Sequence, residues 1–343
     1  MPPVAAMNEP ARHTRSVFTI MSRQSPPVPL PFVLNVLRSA LILAAALAAF
    51  AALAAVVPAA FASTVVSRSF HAAALERDWA YTVYLPTGYH ADGARYPVLY
   101  LLHGNNGNAN DWISQGHLQS TVDALIERKE IPAVVIVMPQ GGTDWYVDRK
   151  EKMETAFFND LLPEVEAQYA VANQRGGRMI GGVSMGGFGA LRYALTQPEQ
   201  FCSAMLLSPA IYPNEPPPGS AARRVGVFGD HQFDPHVWHA LNYPAQWERY
   251  MSRPYRLPVF IGAGDDDLII QADASVLYTN LRFAGNPAAL RIIDGAHTWD
   301  VWSALLPAAL KYTLACVKAP LDTNASAPSQ STAPSTPSSA PDR

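Results

Sequence analysis

What is scarce in this chain narrows its chemistry first. Only two cysteines, Cys202 and Cys316, occur in 343 residues. There is no C-x-x-C pair and no cysteine–histidine cluster, so a structural zinc site is not expected. Two free buried thiols are the plainer reading of the pair, with a bridge open to them in an oxidising compartment. Charge is sparse: 15% of residues are charged and the formal net charge is −3. A nucleic-acid partner, which favours a basic face, is not indicated. No internal repeat is evident, and no motif asks for a cofactor or a metal.

What is present begins at the ends. Arg12, Arg15, Arg23 and Arg38 form a basic leader, followed by the uncharged run Ser39–Val57. Ala60-Phe61-Ala62 then reads as an A-x-A cleavage signal, with cutting expected after Ala62. Residues 1–62 are therefore expected to be a leader and signal peptide that exports the protein. The alternative is an uncleaved outward-facing anchor, which would be its only contact with a membrane. Residues 319–343 are rich in Pro, Ser, Thr and Ala. They carry too little apolar content to offset the entropy of ordering and are expected to be a disordered tail. Residues 63–318 remain for one catalytic domain.

Within that domain apolar runs alternate with amphipathic stretches. Ala80–Leu85 alternates as an edge-type antiparallel strand does. Pro97–Leu102 is an unbroken apolar run and Ala133–Met138 a second, as in strands buried on both faces, and Ser203–Leu207 and Val259–Ile261 read as further strands. Leu290–Ile293 is a further strand, and Met179 begins one that runs into glycines. Helices are predicted over Leu118–Lys129, Glu154–Tyr169, Gly186–Leu195, Gln271–Phe283 and Val301–Ala315. The alternation implies an α/β fold with a mostly parallel central sheet and helices on both faces. Asn214–Arg224, rich in Pro and Gly, reads as an insertion over the sheet.

The chemistry sits where strands end. Gly182-Val183-Ser184-Met185-Gly186 fits G-x-S-x-G, preceded by an apolar strand and followed by an amphipathic helix, which is the context of a nucleophile elbow. A serine hydroxyl needs a base. Of the histidines after Ser184, only His297 lies between a late strand and the final helix. The acid is expected at the end of the preceding strand, in Asp265-Asp266-Asp267, and spacing does not choose among the three. An exposed acidic turn or a metal-binding loop is the other reading of that triplet. Two backbone donors are expected for an oxyanion: the N–H of Met185 and that of Asn105, in the loop His103-Gly104-Asn105.

The chain resembles the esterase D family of α/β hydrolases, which includes feruloyl esterases, S-formylglutathione hydrolases and mycolyltransferases. The resemblance rests on Tyr100–Gly104, Asn110-Asp111-Trp112, Met138-Pro139, Gly182–Gly187, Gly264–Ile269 and Gly295–Trp299. It implies an α/β-hydrolase fold and a serine carboxylesterase working through an acyl-enzyme on a small-molecule or carbohydrate-linked ester. It implies Asp266 as the acid, two residues before Leu268-Ile269, and supports Asn105 as the second oxyanion amide. Where many members have Gly-His-Asp, this chain has Ala296-His297-Thr298. An acyltransferase of mycolyltransferase type would use the same triad. A non-catalytic envelope-binding protein would be marked by loss of a triad residue type, and all three are present.

Overall fold

The computed structural model describes residues 62–317. The leader with its apolar run, the cleavage signal up to Phe61, and the tail from Ala319 lie outside the described residues. Among the described residues no helix is long and apolar enough to cross a membrane.

An eight-stranded sheet runs in the order β1-β2-β4-β3-β5-β6-β7-β8. Its strands are β1 (Thr64–Ala72), β2 (Arg77–Leu85), β3 (Val98–Leu102), β4 (Val135–Pro139), β5 (Arg178–Val183), β6 (Ser203–Leu207), β7 (Val259–Gly264) and β8 (Ala288–Ile293). β1 and β2 pair antiparallel, β2 joins β4 antiparallel, and every later pairing is parallel. The helices are α1 (Asp111–Ser114), α2 (Leu118–Glu127), α3 (Met153–Ala156), α4 (Leu162–Gln168), α5 (Met185–Thr196), α6 (Pro235–Leu241), α7 (Tyr243–Met251), α8 (Leu268–Phe283) and α9 (Trp299–Leu314).

The apolar runs become central strands because both faces are covered. Val98, Tyr100 and Leu102 of β3 face one core; Leu99 and Leu101 face the other. β4 divides likewise, with Val135 and Val137 on one side and Ile136 and Met138 on the other. β1 was not foreseen. Its sequence TVVSRSFHA mixes types, and as an edge strand it buries little beyond Ala72. The helix expected over Glu154–Tyr169 is interrupted by a π-helical turn at Phe157–Leu161.

The segment between β6 and β7 is longer and more ordered than its Pro/Gly-rich start suggested, and carries α6 and α7. Trp238 of α6 anchors it. The indole is fully buried, stacks on Phe188 of α5 at 5.5 Å and meets Phe228 at 4.8 Å. Its Nε1–H donates to the carbonyl of Tyr212 at 3.2 Å, and the Asn242 amide donates to the same carbonyl at 2.9 Å. Tyr212 is thereby fixed over the ends of the strands.

Cys202, just before β6, and Cys316, after α9, form a disulfide with Cα atoms 5.9 Å apart. The plainer reading of two free thiols is thus corrected. The residues lie 114 positions apart and meet because α9 packs along β6 and β7.

Candidate active site

Ser184 follows the last residue of β5 and caps α5, with φ 55° and ψ −116°. A non-glycine residue in this region is strained, and the strain projects the hydroxyl away from the turn. The flanking glycines are sterically required. A Cβ on Gly182 would lie 2.3 Å from the carbonyl of Gly186, and one on Gly186 would lie 2.3 Å from the Leu102 oxygen. Strand β3, the elbow and helix α5 therefore pack backbone against backbone.

His297 follows β8 and precedes α9. Its Nε2 lies 2.9 Å from Ser184 Oγ and its Nδ1 lies 2.6 Å from Asp267 Oδ2. A carboxylate only accepts, so Nδ1–H donates to Asp267, and the neutral ring accepts the serine hydroxyl at Nε2. The imidazole is 38% exposed and the Asp267 side chain 9%. Trp302 on the first turns of α9 meets the imidazole edge to face, centroids 5.0 Å apart. Its Nε1–H donates to the buried Ser208 Oγ at 2.9 Å.

The carboxylate at His297 is Asp267, not Asp266. Parallel pairing between β7 and β8 continues past the formal strand ends: Asp265 N–H donates to the Ile293 carbonyl at 2.9 Å, and Asp266 N–H to the Gly295 carbonyl at 3.0 Å. Asp265 Oδ1 also accepts the Gly295 N–H at 2.9 Å. Gly264 makes the approach possible, since a Cβ there would sit 2.0 Å from the Gly295 oxygen. Two acidic residues are thus committed to the strand's continuation, Asp266 leaves its side chain exposed, and the third turns inward at the start of α8.

The loop after β3 lies against the nucleophile. A Cβ on Gly104 would be 3.5 Å from Ser184 Cβ, and Asn105 lines the same cavity as Ser184. Met185 opens α5, so its backbone N–H is among those the helix leaves unpaired at its positive end. The structure therefore brings Ser184, His297, Met185 and the Asn105 loop together, with Asp267 in the place expected of Asp266.

Sequence reasoning missed His103. Its ring is buried, with Nδ1 2.7 Å from the Gly104 carbonyl and Nε2 2.8 Å from the Gly141 N–H. One partner only accepts and the other only donates, so the ring is neutral and carries its proton on Nδ1. Burial pushes its pKa below the ordinary value. Tyr146 Oη–H donates to the His103 carbonyl at 3.1 Å, so the oxyanion loop is held from both sides. The sequence signal was weak: a histidine directly before the glycine of a loop that ends an apolar strand.

A cavity of about 550 Å³ opens over Ser184 and His297, walled by Trp145, Tyr212, Trp299 and Trp302. It can hold a small ester, with apolar walls around a few polar groups.

Comparison with known proteins agrees. The chain is 26% identical over 238 residues to an acetyl esterase of Caldicellulosiruptor saccharolyticus, covering 64% of this chain and 84% of that protein. It is 32% identical over 140 residues to an endo-1,4-beta-xylanase/feruloyl esterase of Xylanibacter ruminicola, which is 38% of this chain and 19% of that protein. A solved ferulic acid esterase superposes with TM-score 0.62 at 29% identity, over 75% of this chain and all of that one. Residues 72–313 match the model of the family described as "Putative esterase". The chain belongs to that family, and is a serine hydrolase of the α/β-hydrolase fold acting on ester bonds.

Proposed function

We propose that the protein is an exported carboxylesterase that works through an acyl-enzyme on Ser184. The observation that carries the mechanism is the unbroken chain Ser184 Oγ, His297 and Asp267, at 2.9 and 2.6 Å. His297 takes the hydroxyl proton at Nε2 as Oγ attacks the ester carbonyl. Asp267 holds the ring in the productive tautomer and stabilises the imidazolium that forms. The oxyanion is received by the backbone N–H groups of Met185 and Asn105. His297 then gives the proton to the departing alcohol, and water repeats the sequence to release the acid. Relatives named acetyl esterase and feruloyl esterase support simple or carbohydrate-linked esters as the substrate class.

A fluorophosphonate probe tests the assignment. It is expected to label Ser184, and Ser184→Ala is expected to abolish both labelling and the hydrolysis of nitrophenyl acetate. Labelling elsewhere with an active Ser184→Ala variant refutes it. The basic leader, the apolar run and the A-x-A signal support export, and a disulfide suits an oxidising compartment. N-terminal sequencing of the mature protein should then begin at Ser63. An intact chain in the membrane fraction would establish the anchor instead.

A further inference from the structure

Among the described residues, every large apolar side chain that stands exposed belongs to one helix, α8. Leu268, Ile269, Val276 and Phe283 are exposed by 71, 52, 47 and 90%. The same helix already buries Ile270, Ala274, Leu277 and Leu281 on its inner side, against β7 and β8. One apolar stripe is enough to hold a surface helix, and its outer face is ordinarily polar. At 100° per residue the four exposed side chains fall within an arc of about 100°, nearly opposite the buried stripe. A second stripe of this kind marks an interaction surface.

Spacing and charge say what fits it. Ile269, Val276 and Phe283 are seven residues apart, with Ala272 and Thr279 between them, and all five are exposed. That is the a and d spacing of a helix that packs lengthwise on another helix. Val276 is the midpoint of the stripe. Its two ends carry opposite charge: Asp265 and Asp266 are exposed just before the helix, and Arg282 is exposed in its last turn. A second α8 laid antiparallel brings the acidic end of each helix to the basic end of the other and opposes the two macrodipoles. A parallel copy would set like ends together, and an anionic lipid surface would repel the acidic end.

We propose that the outer face of α8 pairs antiparallel with α8 of a second copy of this chain, about a two-fold axis at Val276. The interface is isologous, so each contact is made twice. Val276 meets the partner's Val276, Ile269 packs on the partner's Phe283, and Asp266 faces the partner's Arg282. The helix has 16 residues and is about 24 Å long, so the interface is small, and the dimer forms at micromolar rather than nanomolar concentration. Ile269 stands two residues beyond Asp267, which bonds the catalytic imidazole. Pairing therefore sets the partner's Phe283 beside the start of the helix that carries the triad acid.

Sedimentation equilibrium of the purified protein at micromolar concentration tests the pairing, and a reversible monomer–dimer equilibrium is expected. Val276→Asp sets two carboxylates together on the axis and should raise the dissociation constant by about a hundred-fold or more. Its denaturation midpoint should stay near that of the wild type, because the side chain is exposed. Arg282→Glu and Asp266→Arg, taken singly, should each weaken the dimer by about ten-fold, and the two together in one chain should restore most of the loss. A wild type that stays monomeric overturns the proposal. A dimer indifferent to Val276→Asp uses another surface and also overturns it. A double variant no tighter than its parents overturns the antiparallel arrangement. A monomer that binds phosphatidylcholine vesicles, and loses them on Val276→Asp, gives the face to lipid instead.

Discussion

At the scale of single residues, the acidic triplet shows how three identical side chains acquire different work. Asp265 and Asp266 are drawn into the continuation of the β7–β8 pairing, and only Asp267 reaches the imidazole. Asp267→Asn should therefore lower kcat/KM by about a thousand-fold or more, as loss of a triad acid does. Asp266→Asn should change it by no more than about two-fold, the usual small effect of an exposed substitution. Steady-state rates on one nitrophenyl ester decide between them, and a large loss for Asp266→Asn with a small one for Asp267→Asn would return the acid to Asp266. His103 gives a second residue-scale prediction. Its folded-state pKa lies below the ordinary 6.5, so the unfolded chain binds the extra proton more readily. Its contribution to stability is thus complete above about pH 6.5 and declines as pH falls below it. Thermal unfolding followed from pH 8 to pH 5 should show that decline, and His103→Gln should flatten it.

At the scale of elements, the site depends on backbones that approach more closely than side chains allow. Gly186 stands on α5 against the end of β3, where a Cβ would meet the Leu102 and His103 carbonyls at 2.3 and 2.7 Å. Gly186→Ala is expected to destabilise the fold by about 3 kcal/mol or more, because neither strand nor helix can move aside. Chemical denaturation measures this directly. A second joint lies between β6 and α9. Ser208 directly follows β6 with φ 42° and accepts the Trp302 N–H, and Trp302 presses on His297. Ser208→Gly keeps the backbone conformation and removes the acceptor, while Trp302→Phe removes the donor. If the bond positions the imidazole, both should lower kcat several-fold, and the double variant should be no worse than the worse single one.

At the scale of the whole molecule, the disulfide fastens the far end of α9 to the start of β6, and its cross-link closes a long stretch of chain. That stretch contains the cavity-covering insertion, the acidic loop and His297. Cys202→Ser with Cys316→Ser is expected to lower stability by about 2–5 kcal/mol, mostly through the freedom regained by the unfolded chain. The midpoint of denaturation should fall while the rate per folded molecule stays near that of the wild type. An unchanged midpoint would show that packing of α9 alone holds this end.

The sequence by itself determined what short-range patterns can encode. Apolar runs marked the strands that are buried on both faces, and two glycines around Ser184 marked an elbow that no other residue type fits. Chain order singled out His297, because one histidine alone stood between a late strand and the last helix. The tertiary structure decided what depends on register and on partners distant in sequence. Whether Asp266 or Asp267 meets the imidazole turns on how far β7 and β8 stay paired, and a one-residue change in that register turns a different side chain inward. The Cys202–Cys316 bridge and the packing of Trp238 depend on helices laid across the sheet. The roles of His103 and Ser208 depend on carbonyls and rings brought in from other loops, which spacing along the chain does not specify.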